Sequence, residues 1–154
     1  LYCLAGTGAD GPRLMGLAAA AGVADRVRLL GSVPNARLGS LYAAADAMVL
    51  PSVSEGLANA WVESLACGTP LVLADIPPAH EVIDSPAAGR ITAATGPAFA
   101  TAITEVLAQP ADRAALSAAT AARFNWETHA TRLAEHLRGL VGNEREPREP
   151  ATVR

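Results

Sequence analysis

Apolar residues along this chain alternate between short unbroken runs and stripes with a spacing of three to four, and that alternation predicts strands separated by helices. The predicted strands are Leu1 to Ala5, Val27 to Leu30, Ala47 to Leu50, Leu71 to Ala74 and a segment near Arg90 to Thr92. Helical periodicity fills the intervals, over Pro12 to Ala21, Leu38 to Ala45, Ala58 to Cys67, Ala98 to Ala108, Ala111 to Arg123 and Trp126 to Val141. Pro12 suits a first helical position, because its missing amide would have no partner there, and Gly22 and Gly68 suit C-terminal caps. Apolar runs alternating with helical patterns point to an α/β chain with a doubly wound parallel sheet. Residues 1–141 form the predicted domain. Residues 142–154 are charged, proline-punctuated and without apolar period, which predicts a disordered tail.

The chain has 154 residues with 51% hydrophobic content, enough for one substantial core. A net charge of −3 gives no basic field for nucleic acid, and all twelve cations are arginines. Cys3 and Cys67 read as small buried residues of a reducing compartment, and His80, His129 and His136 lack ligand spacing with either. Neither a disulfide nor a metal site is predicted. No signal peptide and no apolar stretch approaching about 18 residues is visible, so the expectation is a soluble, cytoplasmic protein.

Candidate chemistry concentrates in Pro51 to Pro70, where Glu55 and Glu63 stand with seven residues between them. Met48 to Leu50 form the buried strand, Pro51 stops it, and Ser52 to Gly56 read as a turn opening a helix near Ala58. Free amides and the dipole make such a helix start an anion site suited to a diphosphate. Glu63, about five residues in, lies roughly 7 to 8 Å further along the axis, within reach of a ribose attached to that diphosphate. An ionised carboxylate offers only acceptors, and a ribose diol offers two donors. Taken alone each glutamate has an ordinary explanation: Glu63 as a solvated helix face, Glu55 as a partner for the helix dipole. Ala60, Trp61, Val62 and Leu65 make the helix apolar over much of its circumference, which places Glu63 beside buried surface.

A second motif competes. Gly6, Gly8 and Gly11 spell Gly-x-Gly-x-x-Gly after a strand and before a helix, the fingerprint of dinucleotide binding. That fingerprint needs an acidic residue at the carboxyl end of the next strand, whereas Val27 to Leu30 runs into Gly31-Ser32 and Asp25 precedes it. A tight turn explains the glycines equally well. A non-catalytic scaffold module is the other alternative.

The stretch from Pro51 to Pro70 resembles the signature of retaining glycosyltransferases with the GT-B fold, especially glycosyltransferase family 4, group 1. Val27 to Val33, Leu41 to Pro51, Gly68 to Val72, Glu81 to Ile83, Gly89 to Ile91 and Trp126-Glu127 follow the same family's order, over about residues 1–138. The resemblance implies that Glu63 holds the donor ribose, and that Glu55 with the backbone of Gly56, Leu57, Ala58 and Asn59 meets the donor sugar and diphosphate. Ser32, Val33 and Asn35 would border the nucleobase, and the Gly6 and Gly8 loop would lie near the inter-domain cleft. Ala58 departs from the glycine common in the family. The implied activity is transfer from a nucleoside-diphosphate sugar with retained configuration, in bacterial-like polysaccharide or glycoconjugate biosynthesis. No cofactor and no essential metal is implied, no general base is assignable, and the donor phosphate itself would help deprotonate the acceptor.

The same resemblance implies what this chain lacks. The acceptor would be bound by an absent N-terminal domain, and a first strand with an Arg and Lys pair that neutralises the diphosphate would precede Leu1. With the strand order 3-2-1-4-5-6, that strand belongs between Leu1 to Ala5 and Ala47 to Leu50, leaving a gap in the sheet. The isolated chain is expected to be inactive.

Overall fold

The computed structural model describes residues 1–109 and 112–143, in which short strands and helices alternate along the chain. In order these are β1 (Tyr2–Ala5), α1 (Gly11–Ala20), β2 (Val27–Gly31), α2 (Asn35–Ala44), β3 (Met48–Leu50), α3 (Asn59–Ala66), β4 (Leu71–Ala74), α4 (Pro77–Val82), β5 (Gly89–Thr92), α5 (Gly96–Ala108), α6 (Arg113–Arg123) and α7 (Trp126–Asn143). A 3-10 turn, Ala24–Arg26, leads into β2. Every described strand pairing is parallel. β1 pairs with β2, whereas β3, β4 and β5 form a separate three-stranded sheet in that order. β1 and β3 share no pairing, so the described strands form two sheets that break where a gap was expected.

The three-stranded sheet carries the core because β4 is covered on both faces, which is why its sequence, Leu-Val-Leu-Ala, is a continuous apolar run. Alternation sends Leu71 and Leu73 to one side, where they pack with Trp61, Leu65, Ala79, Val82, Ala88 and Leu116 from α3, α4, the β5 approach and α6. Val72 and Ala74 face the other side, against Phe99, Ala102 and Val106 of α5. Helices therefore cover both faces, and the α/β doubly wound class is the observed one.

A network of side chains fixes α3 against its neighbours. The α3–β4 turn uses Gly68 at φ +75°, where an added Cβ would lie 2.5 Å from the Arg113 carbonyl. Arg113 donates to the carbonyls of Ala43 (2.7 Å) and Ala45 (3.0 Å) at the end of α2, and to Thr69 Oγ1 (2.7 Å). Thr69 Oγ1 donates in turn to the Tyr42 carbonyl at 2.6 Å. Helix-end carbonyls are acceptors without intrahelical partners, so one guanidinium ties α6, α2 and the α3–β4 turn together. Arg113→Met keeps the stem and removes the donors; a loss of about 1 to 3 kcal/mol is expected from chemical denaturation. An unchanged midpoint would mean that water replaces the guanidinium without cost.

The departures from expectation are local. α4 was not anticipated; Pro77 and Pro78 both sit at its start, where no donor is needed. α2 begins at Asn35 instead of Leu38, entered from an extended Pro34, and Pro12 is the second residue of α1. α6 begins at Arg113 because the Asp112 carboxylate accepts from the amides of Ala114 and Ala115 at 3.1 and 3.0 Å; the expected start, Ala111, lies outside the described residues. α7 continues through Asn143, and the rest of the expected tail also lies outside them. Cys3 is exposed and Cys67 half-buried, correcting the expectation that both are buried. The reason for Cys3 is that the β1–β2 sheet is sparsely covered: Leu1, Tyr2, Leu29 and Leu30 are exposed as well.

Candidate functional site

The loop from Pro51 to Ala58 connects the carboxyl end of β3 to α3, and the candidate residues are distributed around it. Glu55, Gly56 and Leu57 are exposed, as is Asn59, the first residue of α3. Val53 and Leu57 place two large apolar side chains at the surface of the same loop. Ala58, the N-cap, has φ −69° and ψ 126°. Any L residue adopts that conformation, so alanine is unstrained where the family commonly has glycine. No side chain caps α3, which leaves the positive end of the helix dipole to meet an anion.

Glu63 is the fifth residue of α3, about 6 Å along the axis from Asn59. The helix buries Trp61, Ser64 and Leu65 on its core side. Glu63 lies on the opposite side and is exposed, although it was expected beside buried surface. The 100° step of an α-helix accounts for this, since Glu63 is half a turn from that stripe. Ser64 Oγ donates to the Thr69 carbonyl at 3.1 Å, pinning the turn after Glu63. Trp61 Nε1 is the buried side-chain polar atom without a partner among the described residues.

Tyr42 of α2 reaches the exposed side of α3. Leu38, Leu41, Tyr42 and Ala45 make one half-buried stripe at helical spacing, which brings the Tyr42 phenol near the charge of Glu63. Burial, then the negative charge of Glu63 and of the neighbouring Cys67, push the phenol above its usual pKa. It stays protonated and can donate. This neighbour was missed in the sequence, where only its place in the stripe hinted that it turns inward.

The other candidate residues gather at the ends of β1 and β2. Gly6, at φ +137°, donates its amide to the Gly31 carbonyl at 2.8 Å, which brings the Gly6 and Gly8 loop beside Ser32. Val33 is half-buried, while Gly8, Ser32 and Asn35 are exposed. Asn35 opens α2, so a single helix links this cluster to Tyr42. Asp25 sits in the turn at the amino end of β2, the wrong end for a dinucleotide ribose.

Two further features lie elsewhere. His80 Nε2 and Asp75 Oδ1 meet at 2.7 Å beyond the end of β4, an exposed pair that the sequence analysis did not single out. A cavity of about 290 Å³ is lined by Tyr2, Val49, Pro51, Phe99 and Ile103, between the start of β1 and the end of β3. It does not include Glu55 or Glu63. Among the described residues no three His, Cys, Asp or Glu side chains converge, and no helix is long and apolar enough to cross a membrane.

Residues 1–123 match the family described as "Glycosyl transferases group 1". Among curated relatives, the chain is 38% identical over 141 residues to a D-inositol 3-phosphate glycosyltransferase of Thermobispora bispora, covering 86% of this chain and 33% of that protein. It is 34% identical over 153 residues to one of Frankia alni, covering 96% of this chain and 36% of that protein. The chain thus spans about a third of the length of these curated relatives. Among solved structures, a sucrose-phosphate synthase from Thermosynechococcus elongatus superposes with a TM-score of 0.77 at 27% identity, over 92% of this chain and 38% of the other. Anabaena HepE, solved in complex with UDP, gives 0.72 at 24% identity over 89% of this chain and 40% of the other, a likeness of fold.

Proposed function

Since this chain belongs to the group 1 glycosyl transferases, we propose that it is the donor-binding part of a retaining family 4 enzyme that transfers a sugar from a nucleoside-diphosphate donor. The observation that carries this is the pairing of an uncapped helix start with an exposed carboxylate one turn further along the same helix. The diphosphate lies at the start of α3, Glu63 accepts from the ribose diol, and Glu55 with Gly56 to Asn59 meets the sugar. The nucleobase extends toward Ser32, Val33 and Asn35, and Gly6 and Gly8 face the cleft toward the acceptor. Glu55 and Glu63 are both exposed in this chain, which suits groups that become covered only by substrate.

Transfer needs positive charge on the departing diphosphate, because stabilising charge that develops in the transition state is a large part of catalysis. This chain has no lysine. We assign the missing charge to a segment outside the chain, which also supplies a strand between β1 and β3. The absence of pairing between β1 and β3 among the described residues and the apolar cavity lined by Tyr2, Val49, Phe99 and Ile103 support that assignment. The acceptor is held by a further domain, no cofactor or essential metal takes part, and the enzyme acts in the cytoplasm.

The test has two arms. Titrated with nucleoside diphosphates, the full-length enzyme should give a saturable signal, and NAD should give none; the reverse would favour a dinucleotide-binding domain, and two null results a scaffold. Residues 1–154 alone should transfer no sugar at a measurable rate. Robust turnover by that piece would overturn the division of labour.

A further inference from the structure

We propose that Asp75 is a further ligand of the transferred sugar: held by His80, its carboxylate accepts from a sugar hydroxyl at the carboxyl edge of β4, beside the loop that carries Glu55. This rests on the diphosphate lying at the start of α3. An aspartate just before a helix ordinarily caps it, accepting from the free amides of the first turn. The first turn of α4 leaves it little to cap, since Pro77 and Pro78 carry no amide hydrogen and Ala79 donates its own to the Ile76 carbonyl at 2.9 Å. No side chain caps α4. The Asp75 carboxylate turns instead to His80, whose Nε2 lies 2.7 Å from Oδ1. An ionised carboxylate offers only acceptors, so Nε2 carries the hydrogen and donates it. Among the described residues Oδ2 takes no hydrogen bond.

Both residues stand on fixed backbone and open side chains. The Asp75 amide donates to the Thr92 carbonyl at 2.8 Å, which ties it to the end of β5. Two prolines restrict the chain between the pair, and Ala79 and Val82, both buried, anchor α4 in the core with Leu71 and Leu73. Asp75 and His80 themselves are exposed. A carboxylate held at one oxygen and free at the other loses little further freedom on binding a hydroxyl. Its place in the sheet indicates which part of the donor it meets. β3 and β4 are parallel and Leu50 pairs with Leu73, so Pro51 and Ala74 leave the sheet side by side, about 4.8 Å apart. Ligands of open α/β sheets bind at this edge. β1 stands across the cavity between Tyr2 and Val49, with β2 and the nucleobase candidates Ser32, Val33 and Asn35 beyond it. With the base on that side and the diphosphate at the start of α3, the sugar is the part of the donor that extends toward β4.

The experiment titrates two probe pairs, UDP with UDP-glucose and GDP with GDP-mannose, against the full-length enzyme without acceptor, and carries forward the pair that saturates. Asp75→Ala should weaken the nucleotide-sugar about tenfold and leave its nucleoside diphosphate unchanged. His80→Ala should weaken the nucleotide-sugar about threefold, His80→Gln, which keeps a donor, should restore most of that, and neither should act further once Asp75 is alanine. Equal weakening of both members of a pair by Asp75→Ala would show a structural role and overturn the proposal. Unchanged affinity for the nucleotide-sugar would overturn it while leaving the donor site standing, and full affinity in His80→Ala would overturn the holding role of the histidine. Saturation by neither pair would sink the donor-site reading and this inference with it. Should Asp75→Ala lower stability, the comparison still decides, since a smaller folded fraction affects both members of a pair alike and a lost sugar contact separates them.

Discussion

Glu63→Ala is expected to lower affinity for a nucleoside diphosphate by about 1.5 to 3 kcal/mol, the loss associated with removing a charged acceptor from buried donors. At about 1.4 kcal/mol per decade this is roughly a ten- to hundredfold weakening. The substitution removes the carboxylate from the exposed side of α3 and leaves Trp61, Ser64 and Leu65 in place, so the fold should persist. Glu55→Ala should act differently. Glu55 belongs to the loop before the helix, and its loss should weaken the nucleotide-sugar while leaving the nucleoside diphosphate nearly untouched. Calorimetry that returned one affinity for wild type and Glu63→Ala would remove the ribose from this helix.

Gly89→Ala should be the most damaging single substitution for stability. Gly89 stands at φ +145° opposite Leu71 in the β4–β5 register. An added Cβ would collide with the Leu71 carbonyl oxygen, with the Leu71 carbonyl carbon and nitrogen each 2.8 Å away. Backbone atoms of a central strand cannot move aside, and the left-handed conformation is itself strained for alanine, so a loss of about 3 kcal/mol or more is expected. Gly139→Ala is the control: nothing lies within 4 Å of its Cβ, and in the middle of α7 alanine should stabilise by up to about 1 kcal/mol. The reading is a denaturant midpoint for each. A Gly89→Ala chain as stable as wild type would mean that β5 is not registered against β4 at this point.

The effect on the site follows from β4. Leu71 and Leu73 carry Trp61 and Leu65, and those two residues set the rotation of α3 about its axis. A core that unfolds under α3 takes Glu63 with it. Activity in Gly89→Ala should therefore fall with folding, not ahead of it.

What the sequence disclosed was the part governed by local physics. Leu71 to Ala74 is an unbroken apolar run because helices cover both faces, and its bounds are the observed ones. Gly22 and Gly68 end their helices at φ +69° and +75°, as a residue without Cβ allows. The loop with Glu55 and the helix with Glu63 were legible for the same reason, Pro51 closing one element and helical spacing opening the next. The rest depends on pairs distant along the chain. Tyr42 comes near Glu63 through the packing of α2 on α3, and Arg113 reaches Ala43 over seventy residues. Periodicity carries no record of either contact. Cys3 was misjudged because an apolar run was taken to imply two covered faces, and the β1–β2 sheet does not have them. The short helix α4 was missed although Pro77 and Pro78 stand at its start, where proline is compatible with a helix.

A crystal structure of the full-length enzyme with its nucleoside-diphosphate donor is the measurement that bears most directly on the donor site. Both ribose hydroxyls should lie about 2.6 to 3.0 Å from the Glu63 carboxylate, the distance of a charge-assisted hydrogen bond, with diphosphate oxygens on the amides at the start of α3. A ribose bonded to other residues, with Glu63 left in open solvent, would contradict the account.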